Sequence, residues 1–322
     1  MSLNNKRVLV VGGAGFIGSH VVSELLRTNV NQIIIFDNFS RGKHLNIKKS
    51  IKDKRCTVYP NGGDIRDTDV LNDAMKNIDI VIHLAAMWLL HCKDYPRTAF
   101  KVNIEGTFNV LEACVKNNIQ LLIYSSSASV YGDALEVPMT ENHPFNNRNF
   151  YGATKISGEA MCRAYYDRYG LNYVGLRYMN VYGPNQDQNA AYTGVIPNLL
   201  NKIDSNESLL INGDGSQAYD FINVRDAALC NIAAIKSRKT DQFYNVGTGI
   251  QTSIDQLCNL ILEIKKSDLK VKYKPYKNND NRQFVKNRIG STEKAKSELG
   301  FQYKISLEQG IKNLIDWRSK NR

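Results

Sequence analysis

The chain has 322 residues, of which 43% are hydrophobic and 23% are charged, and its formal net charge is +11 at pH 7. This length can bury a large core, and the composition excludes an intrinsically disordered protein. The basic residues are spread along the chain without a nucleic-acid-binding motif, so the sequence predicts no nucleic-acid partner and a solvated basic surface, whose charge can also attract a phosphorylated small substrate.

The first half of the chain alternates short apolar runs with amphipathic stretches. Helical spacing of apolar residues occurs over residues 19–26, 70–76 and 98–117. Four runs rich in Val and Ile predict strands that are buried on both faces, and they read KRVLVVGG, NQIIIFDN, IDIVIHLAA and IQLLIYSSS. This order predicts an α/β protein with a Rossmann-type doubly wound parallel sheet.

The second half of the chain has shorter elements and a different loop composition. A helix is predicted over residues 151–169, and the strand LNYVGLRY follows it. Beyond residue 178, loops rich in Gly, Pro and Asn separate shorter elements. We therefore expect a Rossmann domain over residues 1–178 and a smaller C-terminal α/β domain over residues 179–322, with a strand near 243–247 that can return to the first sheet.

The lack of targeting features and the pattern of cysteines both indicate the cellular compartment. No segment has the apolar length of a membrane span or the features of a signal peptide, so we expect a cytoplasmic protein without a membrane partner. The six cysteines are scattered, with no C-x-x-C pair and no histidine cluster beside them. This pattern predicts reduced, mostly buried thiols and no metal site.

A glycine-rich turn follows the first predicted strand and precedes the first helix. Gly12, Gly13, Gly15 and Gly18 satisfy both G-x-G-x-x-G, from Gly13, and G-x-x-G-x-x-G, from Gly12, and Asp37 ends the next strand 19 residues beyond Gly18. Such a turn brings the backbone close to a pyrophosphate, and the helix N-terminus supplies free N–H groups and a positive dipole. The motif in this context predicts a dinucleotide site in the first domain.

The acidic residue after the second strand indicates which dinucleotide binds. Asp37 can accept hydrogen bonds from the adenosine ribose and would repel a 2′-phosphate, which favours NAD over NADP. Arg41 lies four residues further on and is the cation that would allow NADP instead. Asp64 and Ile65, in GGDIRD, are candidate adenine contacts, although the same pair also fits the start of a helix.

Tyr151 and Lys155 lie four residues apart on a predicted helix and so share a face. A free tyrosine has a pKa near 10, and lowering it to near 7 requires roughly 4 kcal/mol from cations such as a nearby ammonium and the nicotinamide ring. Ser125 to Ser127 follow the fourth strand, at the sheet edge where active sites of such folds lie. One of these hydroxyls can relay the proton that Tyr151 removes.

An ordered set of motifs runs along the chain: GGAGFIG, Asp37, GDI, HLAA, SSSASVYG, Y-x-x-x-K, RYMNVYGP and GDGSQ-x-x-DFI. This set resembles the extended short-chain dehydrogenase/reductases, and specifically the nucleotide-sugar epimerases typified by UDP-galactose 4-epimerase. The resemblance covers nearly the whole chain. It implies an enzyme of carbohydrate metabolism or polysaccharide biosynthesis that uses NAD and a UDP- or GDP-linked sugar. It also implies a homodimer paired through the helices at 98–117 and 151–169.

The resemblance assigns roles to individual residues. It implies Tyr151 as the base, Lys155 as its activator and ribose contact, Ser127 as the catalytic hydroxyl and Ser126 as its assistant. The expected cofactor contacts are Gly12, Gly15, Phe16, Ile17, Gly18, Asp37, Asn38, Asp64, Ile65, Leu84, Ala85, Ala86, Asn103, Tyr151 and Lys155. The expected substrate contacts are Trp88, Ser127, Asn180, Val195, Ile196, Tyr219 and Arg282.

Three departures from the family pattern limit which reaction and which substrate we expect. Ala128 and Ser129 follow the catalytic hydroxyl where related dehydratases carry Asp and Glu, and Ser129 also replaces a glutamate usual in uronate decarboxylases. Tyr219 stands where the family commonly has an arginine for the diphosphate, so Arg282 or Arg288 would bind that group. Trp88 is larger than the usual residue after HLAA, which indicates either an unusual sugar or core packing.

These residues predict C4 epimerisation of an NDP-hexose. Tyr151 would remove the proton of the C4 hydroxyl while NAD takes the hydride, and the 4-keto sugar would turn over before the hydride returns. One alternative is an NDP-sugar 4-dehydrogenase or reductase that releases altered cofactor, because fold and motifs do not separate the two. Another is a non-catalytic dinucleotide-binding protein.

Overall fold

The central sheet of the computed structural model, which describes residues 1–187, 194–275 and 285–321, has seven parallel strands. In chain order they are β1 (Arg7–Val11), β2 (Gln32–Phe36), β3 (Cys56–Val58), β4 (Ile80–His83), β5 (Leu121–Ser127), β6 (Tyr173–Tyr178) and β11 (Gln242–Val246). Their order across the sheet is β3-β2-β1-β4-β5-β6-β11. The predicted doubly wound α/β fold is confirmed, and the direction of winding changes between β1 and β4, where such sheets bind ligands.

Helices cover both faces of this sheet, because successive strand residues point to opposite sides. On one face, Val8 and Val10 of β1 share a core with α1 (Phe16–Leu25) and α9 (Val224–Ser237). On the other face, Leu9 and Val11 share a core with the following helices. These are α3 (Thr68–Ala74), α6 (Gly106–Lys116) and α7 (Phe150–Tyr169).

The helix predicted over residues 98–117 is divided into three parts. It comprises α5 (Pro96–Ala99), a π-helical segment (Phe100–Glu105) and α6. π-Helical turns occur frequently at functional sites, and this segment contains Asn103, which is buried. The widened turn therefore changes the direction of side chains beside the predicted cofactor loop.

Elements that follow β6 in the chain form a second apolar core. Leu199, Ile211, Leu257 and Leu314 are buried together in it. The other helices are α2 (His44–Ile47), α4 (Leu89–Asp94), α8 (Val195–Asp204), α10 (Ile254–Lys265), α11 (Glu293–Leu299) and α12 (Leu307–Lys320). Of these, α2 and α11 contribute Ile47, Ala295 and Leu299 to the sheet core that contains Val8 and Val10. The short strands are β7 (Asn180–Tyr182), β8 (Leu209–Asn212), β9 (Ala218–Tyr219), β10 (Phe221–Asn223), β12 (Thr252–Ser253), β13 (Val271–Lys274) and β14 (Asn287–Arg288).

The chain crosses between the two cores more than once. After β6 it enters the second core, and α9 and β11 then return to the central sheet. All six cysteines are buried and unpaired. Among residues 1–187, 194–275 and 285–321, no helix is both long enough and apolar enough to cross a bilayer.

Candidate active site

The glycine turn joins β1 to α1 at the carboxyl edge of the sheet. Gly15 is the N-cap of α1 and supplies no side-chain cap, so the first helical amides are available to an anion. Gly12 has a φ of +82°, and a Cβ there would lie 2.7 Å from Ala85 N. A Cβ at Gly18 would lie 2.2 Å from Gly12 O. Backbone packing therefore requires Gly12 and Gly18, in addition to the approach of a pyrophosphate predicted from the sequence.

Asp37 directly follows β2, beside this turn. Its carboxylate accepts hydrogen bonds from Ala14 N (2.9 Å) and Phe39 N (2.8 Å). Burial raises the pKa of Asp37, and these backbone hydrogen bonds act in the opposite direction. The guanidinium of Arg41 lies 4.7 Å from the centroid of the Trp88 ring, and the carboxylate whose charge acts on it is that of Asp187.

The predicted adenine contacts are neighbours in the structure. Asn38 Nδ2 donates to Asp64 Oδ2 (3.3 Å), and Arg66 forms a 2.6 Å ion pair with the same carboxylate. The hydrogen bond from Arg66 lowers the pKa of Asp64 to about 2. Ile65 is buried, and its carbonyl accepts from Asn109 (3.0 Å). The ionised Asp64 carboxylate is thus hydrogen-bonded by Asn38 and Arg66 within the protein.

Asn103 holds the loop that follows β4. Its amide accepts from Met87 N (2.7 Å) and donates to Met87 O (2.9 Å) and to Thr154 Oγ1 (3.1 Å). Ala85 N also donates to Val11 O (3.1 Å), next to the glycine turn. Asn103 therefore connects the loop bearing Leu84, Ala85 and Ala86 to helix α7, and its side chain is used within the protein.

Tyr151, Ser127 and Lys155 converge beyond the end of β5. Helix α7 begins after Asn149, whose side chain accepts from Gly152 N (2.8 Å), and this cap sets the position of Tyr151 in the first turn. Tyr151 is hydrogen-bonded to Ser127. Lys155 Nζ lies 5.7 Å from the centroid of the Tyr151 ring and donates to Ser125 O (2.7 Å). The three predicted groups are brought together.

The pKa of Tyr151 differs from the lowered value expected from the sequence. Burial raises the pKa of Tyr151 to about 12, although the hydrogen bond from Ser127 and the charge of Arg288 act to lower it. Burial also lowers the pKa of Lys155 to about 8. The protein groups alone do not lower the Tyr151 pKa, because desolvation of the phenolate exceeds their attraction. The predicted lowering therefore also needs the positive charge of the nicotinamide ring.

The structure does not bring Ser126 to this group, contrary to the role expected of it. Its hydroxyl is buried and donates to Glu159 Oε1 (2.5 Å), which belongs to α7 eight residues after Tyr151, or about 12 Å along the helix. Glu159 in turn forms a buried ion pair with Arg177 (2.7 Å). Ser126 thus anchors β5 to α7, and its hydroxyl is directed at Glu159 and not at Tyr151.

Several predicted substrate residues lie on elements beyond β6. Asn180 donates to Asp220 O (3.0 Å), and Val195 and Ile196 begin α8, whose N-cap lacks a side-chain cap. The Tyr219 hydroxyl donates to Val285 O (2.8 Å) and is therefore not directed at a diphosphate. Arg282 lies outside the described residues.

Arg288 is the cation that the structure places near these residues. Arg288 pairs with Tyr219 in the parallel strands β14 and β9. Its Nε is buried and has no hydrogen-bond partner in the described part of the chain. Burial lowers its pKa, while the charges of Tyr219, Asp133 and Tyr151 act to raise it. A buried donor without an acceptor is unfavourable, so an anionic ligand group is the fitting partner.

Two contributors to the site were not found from the sequence. Thr154 accepts from Asn103 and donates to Tyr151 O (2.7 Å), so it joins the β4 loop to the catalytic turn of α7. Cys92 is buried close enough to Tyr151 and Lys155 for its charge state to affect their pKa values. Neither has a motif, because both positions depend on how α4 and the π-helical segment pack against α7.

Lys155→Met is expected to stabilise the fold at pH 7 by up to about 3 kcal/mol and to abolish catalysis. A pKa lowered from 10.5 to about 8 means that the buried ammonium costs the folded state this much below pH 8. Between pH 8 and 10.5 the unfolded lysine binds a proton that the folded one does not, so wild-type stability rises with pH. The difference in urea unfolding free energy should therefore shrink over that range.

The matched control for this measurement is Lys101→Met, which removes an exposed lysine. Its unfolding free energy should differ from the wild type by the same small amount at every pH. A difference between wild type and Lys155→Met that is constant from pH 7 to 10.5 would show that Lys155 is not desolvated as described.

Four features define a short-chain dehydrogenase/reductase of the extended type. They are the switch point of a doubly wound sheet, a glycine turn with an uncapped helix, an acidic residue after the second strand and a Ser-Tyr-Lys group. The model of the NAD dependent epimerase/dehydratase family matches residues 8–247. The chain belongs to this family, and its cofactor is NAD. The resemblance seen in the sequence is thereby confirmed.

Comparison with individual proteins gives the same family. A putative UDP-glucose 4-epimerase of Methanocaldococcus jannaschii is 36% identical over 98% of this chain and 99% of the relative. The UDP-N-acetylglucosamine 4-epimerase of Methanobrevibacter ruminantium M1, solved with UDP-N-acetylmuramic acid, is 33% identical with a TM-score of 0.91, over 99% and 100% of the two chains. The dTDP-glucose 4,6-dehydratase DesIV of Streptomyces venezuelae, solved with NAD, is 25% identical with a TM-score of 0.90, over 98% of each chain.

Proposed function

We propose that the chain is a nucleotide-sugar 4-epimerase that converts a UDP-hexose through a 4-keto intermediate. The observation that carries the proposal is the convergence of Tyr151, Ser127 and Lys155 beyond β5. The similarity to two proteins named as UDP-sugar 4-epimerases supports the choice of reaction and of UDP over GDP.

The cofactor would be held by the uncapped start of α1 and by Asp37, with the Ala85 loop beside it. When bound, NAD supplies a reversible acceptor for the hydride of the sugar C4. Tyr151 would remove the proton of the C4 hydroxyl, and Ser127, hydrogen-bonded to Tyr151, would share it. Lys155, held by Ser125 O, would stabilise the phenolate and bind the nicotinamide ribose. Arg288 would bind the diphosphate of the substrate.

The residues beside Ser127 favour epimerisation over elimination. Ala128 and Ser129 are buried, and Ser129 N donates to Ser127 Oγ (3.1 Å). Neither supplies a carboxyl group for acid-base chemistry at C5 and C6 of the sugar. Tyr151 would therefore be the acid that returns the proton to the C4 oxygen of the 4-keto intermediate.

The test is a panel of UDP-, GDP-, CDP- and dTDP-hexoses incubated with the purified protein. We expect a UDP-hexose to be converted to its C4 epimer with no accumulation of NADH absorbance near 340 nm. Stoichiometric NADH would identify the alternative, a 4-dehydrogenase. Bound NAD with no product from any sugar would contradict an epimerase and favour a dinucleotide-binding protein.

We further propose that the protein is a homodimer, paired through α6 and α7. Phe108 and Tyr169 are exposed by 41% and 54%, and the rings of Phe108, Tyr165 and Tyr169 contact one another in sequence (6.0 Å and 5.3 Å between centroids). This aromatic face of two adjacent helices suits burial against a second copy.

Phe108→Glu is expected to convert the dimer to a monomer, because a carboxylate would be desolvated within the aromatic face. Light scattering coupled to size exclusion gives the mass. Leu45→Glu is the control, since Leu45 is exposed on α2, away from α6 and α7. A wild-type protein of monomer mass, or a Phe108→Glu variant of unchanged dimer mass, would contradict this interface.

A further inference from the structure

Arg41 and Trp88 contact each other across the end of β1. Arg41 follows β2 and Trp88 follows β4, and β1 lies between these two strands in the sheet. The guanidinium carbon of Arg41 is 4.7 Å from the centroid of the Trp88 ring, within the range of a cation–π interaction. The contact therefore spans the carboxyl end of β1, where the glycine turn would bind the pyrophosphate of NAD.

The Arg41 loop is attached firmly to the glycine turn beneath it. Ala14 O accepts from Lys43 N (3.1 Å) and from Asn46 Nδ2 (2.9 Å). A Cβ on Gly42 would lie 2.6 Å from Asp37 Oδ1 and 2.9 Å from Ala14 Cβ, so the loop packs tightly against Asp37, a predicted cofactor contact, and against Ala14 of the glycine turn. From this fixed base the Arg41 side chain extends to the Trp88 ring, and the charge of Asp187 also acts on it.

Trp88 has an unmet hydrogen-bonding requirement at the same place. Its Nε1 is buried, and no acceptor for it exists among the residues described. The face of the indole interacts with Arg41, which leaves the edge N–H as a donor for a ligand. The oxygen-rich pyrophosphate and ribose groups of a dinucleotide are suitable acceptors.

A second connection covers the other side of the turn. His20 Nε2 lies 3.0 Å from Pro184 O, and Asn185 Nδ2 donates to Ser19 Oγ (3.0 Å). Lys43 forms a 3.4 Å ion pair with Asp187. The segment after β7 thus contacts both α1 and the Arg41 loop. Arg41–Trp88 and this segment together enclose the glycine turn on two sides.

We propose that the Arg41–Trp88 pair is a clasp that retains the dinucleotide between turnovers. The clasp must open for NAD to leave, so it slows cofactor dissociation. The inference rests on the proposed function in one respect, because slow release favours an epimerase that reuses its NAD over a dehydrogenase that exchanges it. Arg41 and Trp88 would thereby influence which of the two reactions this site performs.

The test measures cofactor release without any sugar. Protein loaded with NADH is mixed with excess NAD in a stopped-flow instrument, and the loss of NADH fluorescence gives the dissociation rate. Arg41→Gln and Trp88→Leu are each expected to raise this rate on the order of fivefold. The double variant should be no faster than the faster single variant, since either change opens the same clasp.

Two further variants complete the experiment. Arg97→Gln, which changes an exposed arginine on α5, should release NADH at the wild-type rate. Trp88→Phe keeps an aromatic ring but loses the indole N–H, so an intermediate rate is expected. If Trp88→Leu does not fold, as judged by circular dichroism, the cycle of Arg41→Gln with Trp88→Phe replaces it.

Three results would overturn the clasp. They are wild-type rates in both single variants, a faster rate in Arg41→Gln alone, and multiplicative effects in the double variant. The second would mean that Arg41 binds the cofactor without Trp88. Any of these results would leave the proposed epimerase intact, because cofactor release is measured without substrate. Conversely, NADH accumulation in the sugar panel would refute epimerisation without affecting the clasp.

Discussion

Tyr151→Phe is expected to lower kcat by about 10³-fold while the protein still folds and binds NAD. The substitution removes only the hydroxyl that is hydrogen-bonded to Ser127, so the ring packing at the start of α7 is retained. Positioned acid-base groups typically contribute 10²- to 10⁴-fold to a rate. The rate of interconversion of the UDP-hexose identified in the panel, measured by chromatography, gives kcat.

Tyr165→Phe is the matched control, because Tyr165 lies on the same helix but packs against Phe108 and Tyr169 outside the site. This variant should keep kcat within about twofold of the wild type. Activity of Tyr151→Phe within tenfold of the wild type would remove Tyr151 from the role of base. NAD binding by the variant, followed by fluorescence titration with NADH, separates a loss of chemistry from a loss of cofactor.

Arg177→Met is expected to destabilise the protein by about 3 to 5 kcal/mol, the cost of leaving a buried charge unpaired. Arg177 and Glu159 are almost fully buried, and they form two hydrogen bonds, of 2.9 Å and 2.7 Å. Arg177 also donates to Tyr131 Oη (2.8 Å) and to Glu141 O (2.8 Å). Urea unfolding at pH 7 gives the change in free energy.

The double variant Arg177→Met with Glu159→Leu is the control for this prediction. It removes both charges, so we expect it to be more stable than Arg177→Met alone, although Ser126 then loses its acceptor. Equal stability of the single and double variants would show that the lost packing of Arg177, and not the unpaired carboxylate, causes the effect. A loss under about 1 kcal/mol in Arg177→Met would contradict the buried ion pair.

Much of the fold was predictable because its signals are local. The strands β1, β2, β4 and β5 are continuous apolar runs, which occur where both faces of a parallel strand are buried. The glycine turn and Asp37 have a fixed spacing because one dinucleotide must contact both. Tyr151 and Lys155 share a helix face through spacing alone, and the structure brings Ser127 to Tyr151 at the edge of the sheet where parallel strands end.

The remaining features of the site could not be predicted, because they depend on contacts between residues far apart in the chain. Ser126 and Ser127 are adjacent, yet only packing against α7 directs Ser126 to Glu159. Tyr219 occupies the position of an expected phosphate contact, but its hydroxyl donates to Val285 O. The raised pKa of Tyr151 results from burial, which no motif encodes.

The sequence by itself determined the α/β fold, the epimerase/dehydratase family and the use of NAD, since periodicity and motif spacing report interactions along one element or at one turn. Only the tertiary structure decided which groups meet: Asn103 with Met87, Arg288 beside Tyr151, and Arg41 on Trp88. The physical reason is that desolvation and hydrogen-bond pairing depend on every neighbour of a group, and those neighbours are assembled from separate strands and helices when the chain folds.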